Sequence, residues 1–126
     1  MAEALLLDTH VFLWWRQNSR QLSSATRKAI ADAPIVFVSA ASAWEVAIKS
    51  AFGRVRLPEP FHAGVEDSGF LELAIGFEHA AAVESLPAHH SDPFDRMLVA
   101  QAQVERLAIV THDRGLEPYK CRFIWT

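Results

Sequence analysis

The sequence predicts an α/β fold with a mostly parallel central sheet, and three observations carry that reading. Short apolar runs without polar alternation, at Ala4–Leu7, Ile35–Val38 and Leu107–Val110, have the character of strands buried on both faces. Longer stretches with helical patterning lie between them, several opened by Ser or Asp and closed by Gly or Pro. Strand and helix signals that alternate in this way select crossover helices over a parallel sheet.

After the first strand, Asp8 or Thr9 can cap a short helix over His10–Arg16 that presents Val11, Trp14 and Trp15. Ser23 and Ser24 are cap candidates for a helix over Ala25–Asp32, ended by Pro34. The β-branched and aromatic run Ile35–Val38 supplies a second inner strand. Ser39 can cap an Ala-rich helix over Ala40–Phe52, stopped by Gly53, and Arg54–Pro60 reads as a loop or an edge segment. A weaker helix over Phe61–Asp67, a third strand over Phe70–Leu73 and a helix over Glu78–Glu84 follow. The polar stretch His89–Pro93 is turn-like, and it ends in an N-cap at Asp92 with Pro93 in the first helical position. That helix runs through Gln101 to about Glu105; Leu107–Val110 is the next strand, and Phe123–Trp125 a last one at the sheet edge.

A chain of 126 residues, 51% hydrophobic and 21% charged, has room for one ordinary domain over residues 1–126, with a real core. Its net charge of −3 and pI near 6.0 give no general basic footprint, so any nucleic-acid contact rests on local groups. Arg54, Arg56, Arg96, Arg106, Arg114, Lys120 and Arg122 are the candidates. The lone Cys121 allows no intramolecular disulfide. No signal-peptide pattern and no apolar run of the ~18 residues needed to span a bilayer is present, so the expected compartment is the cytoplasm.

Four acids occupy the places where such a fold gathers ligands. Asp8 ends the first strand, Glu45 lies about a turn beyond the second, Asp95 opens the helix after Asp92-Pro93, and Asp113 follows the strand at Leu107–Val110. Adjacent parallel strands point their carboxyl ends the same way, so these acids converge on one crevice. Each has a plainer explanation: Asp8 as an N-cap, Glu45 as an i,i+4 ion pair with Lys49, Asp95 at a helix N-terminus, Asp113 as a turn acid. Their joint placement favours the functional reading, since clustered carboxylates repel one another unless a cation sits among them. Oxygen-only ligands suit Mg²⁺ or Mn²⁺, which points to a metal-dependent phosphoryl-transfer site.

Leu6-Leu7-Asp8-Thr9-His10, the stretch from Ser39 through Trp44-Glu45 to Lys49, the stretch from Asp92-Pro93-Phe94-Asp95-Arg96 to Ala102, and Val110-Thr111-His112-Asp113-Arg114 together span nearly the whole chain. In these four stretches the sequence resembles the PIN-domain family and, within it, the toxic ribonucleases of bacterial and archaeal VapBC toxin–antitoxin modules. The resemblance implies a three-layer α/β/α sandwich in which Asp8, Glu45, Asp95 and Asp113 match acidic metal-binding and catalytic positions, while Thr111 supplies a supporting hydroxyl. It also implies endonucleolytic cleavage of RNA, a homodimeric toxin and inhibition by a cognate VapB-type antitoxin. The fourth stretch keeps its acid but departs from the Asn/Asp-x-x-Asp-Phe pattern of many PIN domains. A catalytically silent PIN-like interaction module, or a structure-specific DNA nuclease, is the alternative reading.

Two further expectations concern residues beside the acids. His89 and His90 read as a solvated loop pair, because adjacent side chains diverge and no zinc-ligand spacing is present. Val11, Phe12, Trp14 and Trp15 crowd one short helix with more apolar surface than the core needs, which suggests that partner contacts, including an antitoxin groove, lie at the N-terminal helices.

Overall fold

The structure, a computed structural model, describes residues 3–126. Five strands, β1 (Leu5–Leu7), β2 (Val36–Ser39), β3 (Leu71–Leu73), β4 (Ala108–Thr111) and β5 (Arg122–Trp125), form one sheet in the order β3-β2-β1-β4-β5. Every pairing is parallel, including that of the edge strand β5 with β4. The helices are α1 (Thr9–Gln17), α2 (Ser24–Asp32), α3 (Ala40–Ala51), α4 (Phe61–Asp67), α5 (Phe77–Glu84) and α6 (Pro93–Glu105), with a 3₁₀ turn at Arg114–Leu116. Element by element this is the arrangement expected from the sequence, with ends shifted by a residue or so.

Strand alternation divides the core into two layers. Leu5, Leu7, Val36, Val38, Ala108 and Val110 face one side, where they pack with Val11, Phe12, Ile30 and Val65 from α1, α2 and α4. Leu6 and Ile109 face the other, against Ala41 of α3 and Leu98, Val99 and Ala102 of α6, with Ala82 and Val83 of α5 alongside. Burial on both faces explains why the inner strands are continuously apolar.

The caps follow the sequence. Ser23 Oγ accepts from Thr26 N at 3.1 Å, and Asp92 Oδ1 accepts from Phe94 N at 2.8 Å and Asp95 N at 3.2 Å. Ser39 Oγ accepts from Ala41 N at 3.0 Å and donates to Oε1 of the fully buried Gln101 at 2.5 Å, tying the start of α3 to the middle of α6.

The apolar face of α1 is covered in part within the chain. Val11 and Phe12 are buried, Phe12 lies 5.0 Å from the Phe61 ring of α4, and Trp14 and Trp15 are half-buried against the same core. Helix α4 and its flanking loop cover what β1 alone would leave open. Arg16 helps to hold them there, pairing through Nε and Nη2 with both oxygens of Glu59 at 2.7 and 2.9 Å and through Nη1 with Asp67 at 3.0 Å. The exposed large apolar side chains lie elsewhere, with Trp44 59% and Ile48 37% exposed on α3 and Phe52 76% exposed at its C-cap.

Candidate active site

After β1 the chain adds β2 and β3 on one side and then crosses back to place β4 on the other. The switch point therefore falls between β1 and β4, the place where an open parallel sheet leaves a crevice at its carboxyl ends. A crevice of about 390 Å³ opens there, and Asp8, Glu45, Asp95 and Asp113 all line it, with Lys49 and Arg114. A hollow of about 470 Å³ beside α3 and the loop before α4 is larger, but its acid, Glu59, is committed to Arg16.

Asp8 does two jobs. As N-cap of α1 its Oδ1 accepts from Val11 N at 2.8 Å, and its Oδ2 accepts a hydrogen bond from the Thr111 hydroxyl. Burial pushes its carboxyl above the usual range, against the opposing pull of Thr111 and the Val11 amide. Thr111 Oγ1 in turn accepts from Asp113 N at 3.0 Å, so one fully buried hydroxyl joins the ends of β1 and β4.

Glu45 likewise combines both readings of the sequence. It is 5% exposed on α3, accepts from Thr9 Oγ1 at 2.7 Å, and pairs with Lys49 Nζ at 2.6 Å. Thr9 is itself 2.9 Å from the buried Ser42 hydroxyl. Sequence reasoning did not single out Thr9 or Ser42 for the site, although Ser42 precedes Glu45 by three residues and so shares its helix face.

Asp95 sits in the first turn of α6, a helix already capped by Asp92. Among the described residues its carboxylate has no hydrogen-bond donor; His90 Nε2 stands off at 3.6 Å. Burial, and then the negative charges of Asp92, Asp8 and Glu45, push it up to about 7 despite His90. Asp113 caps the 3₁₀ turn, with Oδ1 accepting from Gly115 N at 2.9 Å and Oδ2 lying 3.1 Å from His90 Nε2.

His90 corrects the expectation of a solvated histidine pair. His89 turns to the Tyr119 ring, 5.1 Å away, while His90 is half-buried and reaches the acids. Its Nε2 and carboxylate oxygens of Asp95 and Asp113 lie within 4.8 Å of one another. The basic candidates are corrected too. Arg96 is spent on the backbone oxygens of Val83, Leu86 and Pro87, and Arg122 pairs with Glu3, while Arg114 lies at the crevice with its Nη1 3.3 Å from Glu117 and its guanidinium 4.2 Å over the Trp125 ring. His10, Trp14 and His112 form an aromatic group at the rim, with Trp14 and His112 4.7 Å apart.

The donor set fits a hard divalent cation: carboxylate oxygens dominate, and the half-buried Asp95 lacks a close partner that would settle its charge.

The PIN domain family matches residues 5–120, and the chain belongs to that family. Within it, the sequence is 31% identical over 119 residues to Ribonuclease VapC22 of Mycobacterium tuberculosis, covering 92% of each chain. Among solved structures the fold is similar to DNA-bound VapBC of Salmonella typhimurium, with a TM-score of 0.71 at 19% identity over 98% of both chains. It is also similar to VapBC2 of Rickettsia felis bound to a promoter DNA fragment, with a TM-score of 0.70 at 9% identity over 96% of this chain and 97% of that one. Among the described residues, no helix is long and apolar enough to cross a membrane.

Proposed function

We propose that this protein is a divalent-metal-dependent endoribonuclease, the toxin of a VapBC-type toxin–antitoxin pair. The observation that carries the reading is the convergence of Asp8, Glu45, Asp95 and Asp113 in one crevice at the switch point of the sheet. The 31% identity with a VapC ribonuclease supports the substrate class and the toxin assignment.

In this reading Asp8, Glu45 and Asp95 would hold the cation, and Asp113, whose carboxylate lies within 4.8 Å of that of Asp95, would add a fourth acid for a second. Bound Mg²⁺ or Mn²⁺ supplies positive charge for the non-bridging phosphate oxygens and acidifies water for in-line attack. The chain's own part is preorganisation. Asp8 is fixed by the Val11 amide and Thr111, and Glu45 by Thr9 and Lys49, so neither carboxylate has to find its rotamer when substrate arrives. Arg114 offers positive charge to the phosphate chain at the crevice. His10, Trp14 and His112 offer ring surface for a neighbouring base. A VapB-type antitoxin inhibits by placing a basic side chain among the same carboxylates, competing with cation and substrate.

Asp8→Asn and Asp95→Asn each lower Mg²⁺- or Mn²⁺-dependent RNA cleavage by at least ~10²-fold in a protein that remains folded. Undiminished cleavage by purified Asp8→Asn would sink the assignment. Matched RNA and DNA substrates separate the ribonuclease from a DNA nuclease, since the phosphoryl chemistry alone does not require a 2′-hydroxyl.

A further inference from the structure

His90 makes the crevice look like a mixed nitrogen and oxygen metal site, because its Nε2 lies within 4.8 Å of carboxylate oxygens from Asp95 and Asp113. The hydrogen bonds around the ring argue otherwise. Asp92 N donates to His90 Nδ1 at 3.1 Å, so Nδ1 presents its lone pair. A neutral imidazole carries a single ring proton, which then resides on Nε2, the atom 3.1 Å from Asp113 Oδ2. A nitrogen that bears a proton donates; it does not ligate.

We infer that His90 is a positioning residue: its Nε2–H holds Asp113 in place, its tautomer is set by the Asp92 amide, and it does not bind the metal. The inference rests on the nuclease reading for its consequence, and on the geometry alone for its content.

Two independent observations support a fixed clamp. The loop that delivers His90 is tied down, with His90 N donating to Tyr119 Oη at 3.0 Å, Tyr119 Oη donating to Pro87 O at 3.0 Å, and Arg96 Nη1 donating to Tyr119 Oη at 3.1 Å. The second is a space. A Cβ on Gly115 would fall 2.9 Å from Asp113 Oδ1 and 3.3 Å from His90 Cδ2, so the clamp closes only over a residue without a side chain. With Gly115 N on Oδ1 and His90 on Oδ2, both oxygens of Asp113 are held. The remaining lone pairs are left to face the crevice.

The test is the ring's own spectrum. Two-bond ¹H–¹⁵N correlation of the full-length labelled protein at mildly alkaline pH, assigned by loss of the signal in His90→Gln, reports which nitrogen carries the proton. A protonated Nε2 that keeps its proton at saturating Mg²⁺ is expected. A proton on Nδ1, or loss of the Nε2 proton as the ion binds, overturns the inference. Cleavage supplies the second arm: His90→Ala lowers kcat by about tenfold, and His90→Gln, whose amide N–H reaches toward the same oxygen, restores most of it. Gly115→Ala matches His90→Ala, and the double variant is no worse than either, as expected for residues acting through one clamp. A folded His90→Gln as poor as His90→Ala overturns the inference. A wild-type chain that cleaves no RNA would defeat the nuclease reading while the ring spectrum still decides the clamp.

Discussion

The Thr111 hydroxyl at the end of β4 donates to the Asp8 carboxylate at the end of β1, although 103 residues separate them in sequence. It opposes the effect of burial, holding Asp8 toward its charged form in a place that otherwise favours the neutral one. Thr111→Val keeps the shape and removes the donor. Stability falls by about 1–3 kcal/mol, and cleavage requires more divalent ion for half-maximal rate, because Asp8 is less charged when the ion arrives. Thr111→Ser restores both. Chemical denaturation and Mg²⁺ titration of cleavage check the pair; an unchanged ion requirement in Thr111→Val would separate Thr111 from the site.

Asp95 gives the pH dependence its sign. Its carboxyl is raised from 3.8 to about 7 in the folded protein, so the fold binds that proton more tightly than the unfolded chain does. The associated stability is fully present below the unfolded value and is lost as pH rises through the folded one. Without divalent ions, the melting temperature therefore falls between about pH 4 and pH 7, and Asp95→Asn is more stable than wild type at and above neutral pH. Added Mg²⁺ or Mn²⁺ removes most of that difference by stabilising the charged form. EDTA stops cleavage without unfolding the domain. A melting temperature for Asp95→Asn below that of ion-free wild type at alkaline pH would contradict the assigned electrostatics.

What could be read from the sequence follows from where each signal lives. Burial on both faces of β1, β2 and β4 writes itself as continuous apolar runs, and Asp8, Asp95 and Asp113 stand at fixed offsets from strand ends or a capped helix start. The crevice was legible for that reason. His90 was not, because it lies in a loop without periodicity, and its direction is set by Tyr119 and by the Asp92 amide, contacts that exist only after folding. Arg96 was misread for the complementary reason: composition shows a charge but not the carbonyls that consume it. The apolar crowding of α1 was legible, but periodicity cannot show that α4 returns to cover Phe12 while Trp14 and Trp15 stay half-buried.

The sequence leaves the dimer surface open, and the structure offers a candidate for it. With α1 half-buried, the exposed apolar side chains along α3 and its C-cap are the better candidate: Trp44, Ile48 and Phe52 stand out from the surface, and Trp44 packs 5.1 Å from the Phe94 ring of α6 beside a shallow hollow of about 340 Å³ that also takes in Ile75 and Met97. Large apolar groups grouped in this way on a small domain mark a contact surface more often than they mark nothing. A two-fold arrangement lets one patch meet its own copy, so a single substitution acts on both sides of the contact. The isolated chain is expected to be a homodimer that Trp44→Glu or Phe52→Asp converts to monomer, whereas Trp14→Ala, in the half-buried layer, changes stability more than assembly. Light scattering at tens of micromolar, with circular dichroism to confirm the fold, reads the outcome. A wild-type monomer at that concentration would defeat the homodimer, and a dimer indifferent to both Trp44→Glu and Phe52→Asp would place its interface elsewhere.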